Sequence, residues 1–352
     1  MNPALKTSLH CAVDNVLRRV PVVLHSGAAG RMLVAGEERW SRYLPDRFFD
    51  GGPRKSRQLG DAWTWQLPHV LRRWAAEVDV IVARADRMSA RFFPAAEYLR
   101  VPEWIRMVAP VPASQRGFAS SSVRSDMRVV KNNGLSWRVS HDPDDLATYL
   151  DRDYYPYTRL RYGDESFVQP PRWMRKSFDK GGLLWVEREG RPIAGLVFER
   201  EPPIFRHSTI ACVEADEGLL RHGAVAGIYL FSFKCARSLG LTSVDMRGSR
   251  PCLHDRLFYV KNKYGGAIQD KRDNAYDLLV RWNRATPAVL RFLAGSPLIF
   301  RDGDGLSAVH ADRVTPRHKL LATGLHRLFT PRPDAAFGVW DRRQPDDVAD
   351  GR

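Results

Sequence analysis

Apolar positions recur every fourth residue at Leu5, Leu9, Val13 and Leu17, a rhythm that predicts a helix over residues 3–19 with one buried stripe. Pro21 stops it, because proline lacks an amide and its ring clashes inside a helix. The run VVLH that follows reads as a strand. GDAWTWQLPHVLRRWAAEVDVIVARAD predicts a helix over 69–77 and a buried strand over 79–83. The Pro-, Ser- and Gly-rich stretch from Pro110 to Ser122 reads as a linker. Beyond it, SSSVRSDMRVVKNNG predicts a helix capped at Ser122 and ended by Gly134, with Arg124, Arg128 and Lys131 on one face. That cationic face either contacts phosphate or is solvated.

LSWRVS predicts a strand, and HDPDDLATYLDRDYYPYTRLRYGDES a helix broken at Pro156. Around the break, Tyr157 and Arg161 sit in a mixture of tyrosines and arginines. Such a set can line a cleft that stacks on a planar ligand and pairs with an anion, or it can pack a helix and leave the arginines exposed. From Gly181 the pattern turns to strands: GLLWVER, a turn at Glu189-Gly190, RPIAGLVFER, a loop at Pro202-Pro203, then FRHSTIACVE. GAVAGIYLFSFKCARSLG is apolar nearly all round, which predicts a helix buried against the sheet and closed by Gly240. LTSVDM is the next strand, so residues 181–246 read as β-β-β-α-β.

With 44% hydrophobic and 27% charged residues the chain has the balance of a folded protein, and 352 residues suit two compact units. The net charge of +15 favours anionic partners such as tRNA, nucleotides, acidic carrier proteins or lipid headgroups. A generally arginine-rich composition explains it equally well. Cys11, Cys212, Cys235 and Cys252 are scattered, with neither a disulfide framework nor zinc-ligand spacing, which suits a cytoplasmic protein without a metal. Lys6, His10, Asp14, Arg18 and Arg19 interrupt the apolar core a signal peptide would need, and the run Ala224–Phe233 is too short to span a bilayer.

The strand ending at Gly248 is followed by Ser249-Arg250-Pro251, Asp255, and then Lys261, Lys263, Tyr264 and Gly265. Together with the β-β-β-α-β order, this pattern resembles the GNAT-like N-acyltransferases of the Fem-type and BioF2-like group, over residues 118–300. The resemblance implies an α+β (mixed α/β) fold, with a GNAT-like central mixed β-sheet flanked by helices. An N-terminal αβ lobe over 1–110, either a separate αβ fold or a degenerate second GNAT-like unit, would precede the transferase domain over 111–300, and an extension over 301–352 would follow it. The implied activity is transfer of an acyl group from acyl-CoA or an acyl carrier protein to an amine of a small molecule or peptide. Aminoacyl-tRNA-dependent transfer is the alternative. A non-catalytic nucleic-acid-binding protein on a transferase scaffold is the third reading.

The same resemblance gives Lys261 a place facing the substrate cleft, where a fixed cation would stabilise a phosphate or the tetrahedral oxyanion. Lys263, two residues on, would point to the opposite face of a strand and be solvated. Arg247, Gly248, Ser249 and Arg250 are candidates for binding the anionic donor, although Arg250 can equally bridge loop carbonyls. Asp255 either orients Lys261 or Arg250 or caps the following segment. His254, Glu214 and His207 are candidates to remove the amine proton, with a substrate-assisted path through water as the alternative. Tyr259 and Tyr264 either stack on a ligand or belong to the core. The oxyanion is expected at a backbone amide where two central strands splay, near Ala211 to Val213. Arg221 and His222 open the run to Gly227 that stands where acetyl-CoA enzymes carry a glycine-rich pyrophosphate loop, but its glycines are displaced, which puts ordinary CoA binding in doubt.

After the core, SPLIFRDGDGLSAVHADR predicts a hairpin turning at 302–305. RHKLLATGLHRLF at 317–329 reads as a basic amphipathic helix, docked on the domain or touching a membrane surface or acidic carrier. The tail from Pro331 is expected to be poorly ordered.

Overall fold

A computed structural model describes residues 18–36, 42–52, 54–112, 120–163, 168–216, 218–271, 274–303, 305–311 and 322–343. The helix expected over 3–19 lies almost wholly outside these residues. The strands are β1 (Arg19–Gly27), β2 (Gly30–Ala35), β3 (Lys55–Trp63), β4 (Val80–Asp86), β5 (Leu99–Pro102), β6 (Ile105–Pro110), β7 (Leu135–Ser140), β8 (Gly181–Arg188) and β9 (Arg191–Glu201). They continue with β10 (Ile204–Cys212), β11 (Ser243–Ser249), β12 (Ala267–Gln269), β13 (Tyr276–Arg281), β14 (Leu298–Asp302), β15 (Gly305–Val309), β16 (Leu325–Pro331) and β17 (Trp340–Arg343). The helices are α1 (Tyr43–Phe48), α2 (Leu67–Trp74), α3 (Ser121–Asn132), α4 (Pro143–Thr148), α5 (Tyr155–Tyr162), α6 (Pro171–Lys180), the single turn α7 (Gly218–Arg221), α8 (Ala224–Ser238), α9 (Arg256–Lys263) and α10 (Pro287–Gly295). Among the described residues no helix is long and apolar enough to cross a membrane.

The chain forms two compact units, one of Met1–Ile105, Ser249–Tyr259 and Ile268–Arg352, the other of Arg106–Gly248 and Val260–Ala267. Both carry large mixed sheets with helices against them, so the fold is mixed α/β. The first unit holds a ten-stranded sheet ordered β17-β16-β15-β14-β5-β13-β4-β2-β1-β3. At its centre β2 and β4 run parallel, with Met32–Ala35 beside Val80–Ala83. Alternation along β2 sends Met32 and Val34 into a cluster with Phe48, Trp282 and Phe292, and Leu33 and Ala35 into one with Leu67, Leu71 and Phe93. Both faces are therefore buried, as a near-continuous apolar run requires.

The C-terminal expectations need correction here. Residues 325–329 are not helical. They belong to β16, which runs parallel to β15 and antiparallel to β17. Gly324 at φ 97 turns the chain into it, and a Cβ there would lie 2.5 Å from the Ile268 carbonyl oxygen. Residues 317–321 lie outside the described part. Among the described residues, the segment from Pro331 to Arg343 is held in place, with the Trp340 ring packed against Phe329, Trp282 and Phe337, and the rest of the tail lies outside the described residues. These C-terminal strands extend the sheet of the first unit.

The second unit holds a seven-stranded sheet ordered β12-β6-β11-β10-β9-β8-β7. Strands β7 to β10 are antiparallel neighbours, and α8 leads from β10 to β11, which returns parallel to β10. Ile228, Tyr229, Phe231 and Phe233 of α8 are all buried, which accounts for its apolar circumference. Helix α3 begins two residues earlier than its predicted cap allows: Ser120, not Ser122, accepts the Val123 amide at 3.4 Å.

Pro156 does not break its helix as expected. The chain widens into a π-helical turn at Tyr149–Tyr154, and Pro156 falls in the first turn of α5, where a missing amide leaves no bond unmade. That widened turn packs Tyr149 on β9 at Gly195, and a Cβ at Gly195 would lie 2.7 Å from the Tyr149 ring and 3.1 Å from that of Trp185. Both rings are fully buried. Gly195→Ala should therefore lower unfolding stability by about 1–3 kcal/mol in urea titration, whereas an unchanged midpoint would show that the rings are free to move.

Candidate active site

The second unit contains a place where two central strands part. Strand β11 pairs with β10 only from Ser243 to Asp245, opposite Ile204 to Arg206. At the next position β10 carries a bulge between His207 and Thr209. The last pair is locked by charge. Asp245, 1% exposed, accepts hydrogen bonds at 2.9 Å from Arg106 Nε on β6 and from Arg206 Nε on β10. Burial alone would raise its carboxyl pKa, but the hydrogen bonds of Arg106, the Arg247 amide and Arg206 outweigh that and hold it below the usual carboxylate range.

Beyond Asp245 the backbone turns left-handed at Arg247, at φ 62. The Asp245 carboxylate supports this sparsely populated conformation by accepting the Arg247 amide at 2.9 Å. The Arg247 side chain then reaches back, donating to the His207 carbonyl at 2.8 Å and pairing with Glu199 at 2.7 Å. Lys261, 4% exposed, donates to the carbonyl of Gly248 at 2.6 Å and to that of Arg247 at 3.4 Å. Two cations thus satisfy carbonyls on the parting strands. Ala211 and Cys212, where the oxyanion amide was expected, lie on β10 beyond its last pair with β11.

His207, 3% exposed, occupies the bulge, and neither of its ring nitrogens has a hydrogen-bond partner among the described residues. Its ring lies 5.7 Å from Tyr229, which stacks on Tyr264 at 4.8 Å. Burial, followed by repulsion from Lys261, pushes the imidazole pKa down to about 3, so the ring is neutral near pH 7. An unsatisfied buried imidazole costs about 1–3 kcal/mol. Retained at a strand splay among cations, it is a functional candidate.

The remaining candidates fall in different places. Residues 256–263 form α9, a helix and not the strand that would have left Lys263 solvated. Lys263 instead pairs with Asp126, which also accepts the Tyr264 hydroxyl. Tyr264 is core, and burial followed by its bond to Asp126 raises its phenol pKa. Tyr157 is buried and accepts Arg161 Nη1 at 2.6 Å, which gives this pair a packing role on α5. Arg221 and His222 are exposed at the turn before α8. In the first unit, Asp255 caps α9 by accepting the Leu257 and Phe258 amides at 3.0 Å and pairs with Arg47 at 3.4 Å. Arg250 lies over the rings of Trp104 and Tyr43 at 4.2 and 4.9 Å. His254 Nδ1 is 3.2 Å from the Gly295 carbonyl, Ser249 is fully buried, and Tyr259 is half-exposed. Arg106, Arg206, Glu199 and Asp126 were not singled out from sequence. Of these, only Arg206 carries a signal there, as the neighbour of His207.

The turn before α8 is closed at His222 and Gly223. The amides of His222 and Gly223 donate to the Leu219 and Leu220 carbonyls at 3.1 Å. Gly223, at φ 86, packs so closely on α3 that a Cβ would lie 3.0 Å from Val129. These two amides are spent within the turn, so an anion at this helix end would be met only by the amides of Ala224 to Ala226, without a glycine loop before them.

No family model matches the chain, and no curated protein is similar to it. Among solved structures, FemX is similar with a TM-score of 0.39 and 9% identity, covering 74% of this chain and 87% of its own. L-PGS from Bacillus licheniformis has a TM-score of 0.37 and 10% identity, covering 75% of this chain and 81% of its own. A GCN5-related N-acetyltransferase from Anabaena variabilis ATCC 29413 has a TM-score of 0.31 and 14% identity, covering 92% of this chain and 71% of its own. All three are distant, and function is read from the chain's own residues.

The buried imidazole has a measurable signature. Its folded pKa of about 3 lies below the ordinary value, so between the two the unfolded chain binds the extra proton. Stability should therefore fall as pH drops through about 6.5 toward 3, by up to about 1.4 kcal/mol per pH unit from this ring. Denaturant titrations across that range should show a flatter pH profile for His207→Phe than for the wild type. Identical slopes would mean that His207 is not held neutral.

Proposed function

We propose that this chain is an N-acyltransferase that moves an acyl group from an anionic ester or thioester donor to a small-molecule amine. The observation that carries this reading is the end of β10–β11 pairing at Arg206 and Asp245, with Lys261, Arg247 and neutral His207 gathered just beyond it. In the GNAT-like fold that the sequence resembles, such a splay is where the donor carbonyl is held.

The chemistry needs three things: a neutral amine beside an activated carbonyl, hydrogen-bond donors for the developing oxyanion, and a place for the amine proton. Backbone amides of β10 near Ala211 and Cys212 are suited to the oxyanion, with Lys261 adding a fixed positive field. His207 has a lone pair to take the proton. Burial is the main cause of the ring's low proton affinity, and an anionic donor beside Lys261 and Arg247 would relieve only the smaller repulsion from those cations. As the new C–N bond forms, the C–S or C–O bond to the carrier breaks, and the proton passes from the amine through His207 to the leaving thiolate or alkoxide.

Among thioesters, an acyl carrier protein is favoured over acyl-CoA by the displaced glycines before α8. A second reading, transfer from aminoacyl-tRNA, is favoured by the same displaced glycines and by the net charge of +15.

Lys261→Met keeps the aliphatic stem and removes the cation. It should lower kcat/KM by about 100- to 1,000-fold while the protein remains folded, as measured with acyl-carrier thioesters and charged tRNA in parallel. Full activity of the variant with whichever donor supports transfer would remove Lys261 from the site. Loss of all activity on ribonuclease treatment would select the tRNA donor.

A further inference from the structure

A groove of about 630 Å³ lies in the second unit between α3 and α8, apart from the strand splay. Its volume is within the range of small-molecule sites, and its interior is mostly apolar. Phe231 of α8 and Met127 of α3 help to line it, and Phe231 is buried in place by stacking on Trp137 at 6.5 Å. The residues at its rim are cationic. Arg124, Arg128 and Lys131 lie one turn apart along α3 and are exposed, and Lys234 of α8 sits 5.1 Å over the Phe231 ring.

Among the described residues, none of these four cations forms an ion pair with a carboxylate. The acidic residue nearest in sequence, Asp126, is committed to Lys263 and Tyr264. Arg124 and Arg128, at i and i+4, repel each other on the helix surface. The contrast with the strand splay is plain, since there Arg106, Arg206 and Arg247 all meet carboxylates. Unbalanced positive charge bordering an apolar groove is complementary to one kind of molecule, with an anionic head and a hydrocarbon tail. A polynucleotide's sugar–phosphate backbone would meet the cations but leave the mostly apolar interior unused.

We infer that this groove binds a single-chain anionic amphiphile, an alkyl or acyl chain ending in a phosphate-like head. The chain lies against Met127 and Phe231, and the head is held by Arg124, Arg128 and Lys131. The site is separate from the proposed reacting centre and stands whether or not that reading holds.

Titration of the intact protein with dodecyl phosphate below its micelle concentration tests this. Saturable binding of one molecule per chain is expected. It should weaken about tenfold or more in the Arg124→Gln, Arg128→Gln, Lys131→Gln variant, in line with the loss of charge-assisted contacts. These positions are exposed, so the variant should keep its thermal midpoint, and Met127→Asp provides an independent loss of affinity from the apolar side. Shortening the chain should weaken binding about two- to fourfold per methylene. The proposal is overturned if dodecyl maltoside binds as tightly as dodecyl phosphate, if the glutamine variant binds like the wild type, or if inorganic phosphate or a short RNA competes at equal concentration.

Discussion

The architecture around the candidate active site depends on one buried carboxylate. Asp245 is almost wholly withdrawn from water, and an unpaired charge there would cost several kcal/mol. It is instead matched from both sides, by Arg106 on β6 and Arg206 on β10, two strands that flank β11 in the sheet. One ion cluster therefore ties three neighbouring strands together at a single level. Its other oxygen accepts the Arg247 amide and sustains the left-handed turn that follows the last β10–β11 pair. The splay is thus a fixed feature of the charge arrangement.

What lies beyond the cluster follows from unmet backbone groups. Where the ladder stops, carbonyls need other donors, and Arg247 and Lys261 supply them. This places two cations beside the His207 ring, where they add to the burial that keeps it neutral. The same residues that complete the strand edges thereby create an environment where negative charge is welcome and a proton acceptor is ready. The groove between α3 and α8 shows the opposite arrangement, with cations left unbalanced at the surface beside apolar side chains.

Much of the second unit was legible in the sequence. Three strands with a tight turn at Glu189-Gly190, an all-round apolar helix closed by Gly240 and a further strand are local patterns, and they appear as β8, β9, β10, α8 and β11. The basic stripe of α3 was also legible, although not the groove it borders. Other features depend on distant partners. Asp245 and Arg106 are 139 residues apart, so their pairing leaves no trace in local spacing. Lys261 and Lys263 were read as strand neighbours, yet Asp255 caps a helix there and sends the two to different partners. Leu325, Leu328 and Phe329 suit a helical stripe, but Gly324 and pairing with β15 and β17 make that segment a strand. A break was expected at Pro156, but the π-helical turn before it lets the helix run on through that position.

Where the acyl donor lies decides the account. Amide hydrogen exchange, measured with and without the donor that supports transfer, should show protection of β10 from His207 to Cys212 and of β11 at Arg247 and Gly248. Protection confined to other elements, with these two strand ends unchanged at saturating donor, would contradict the placement of the reaction at the splay beyond Asp245.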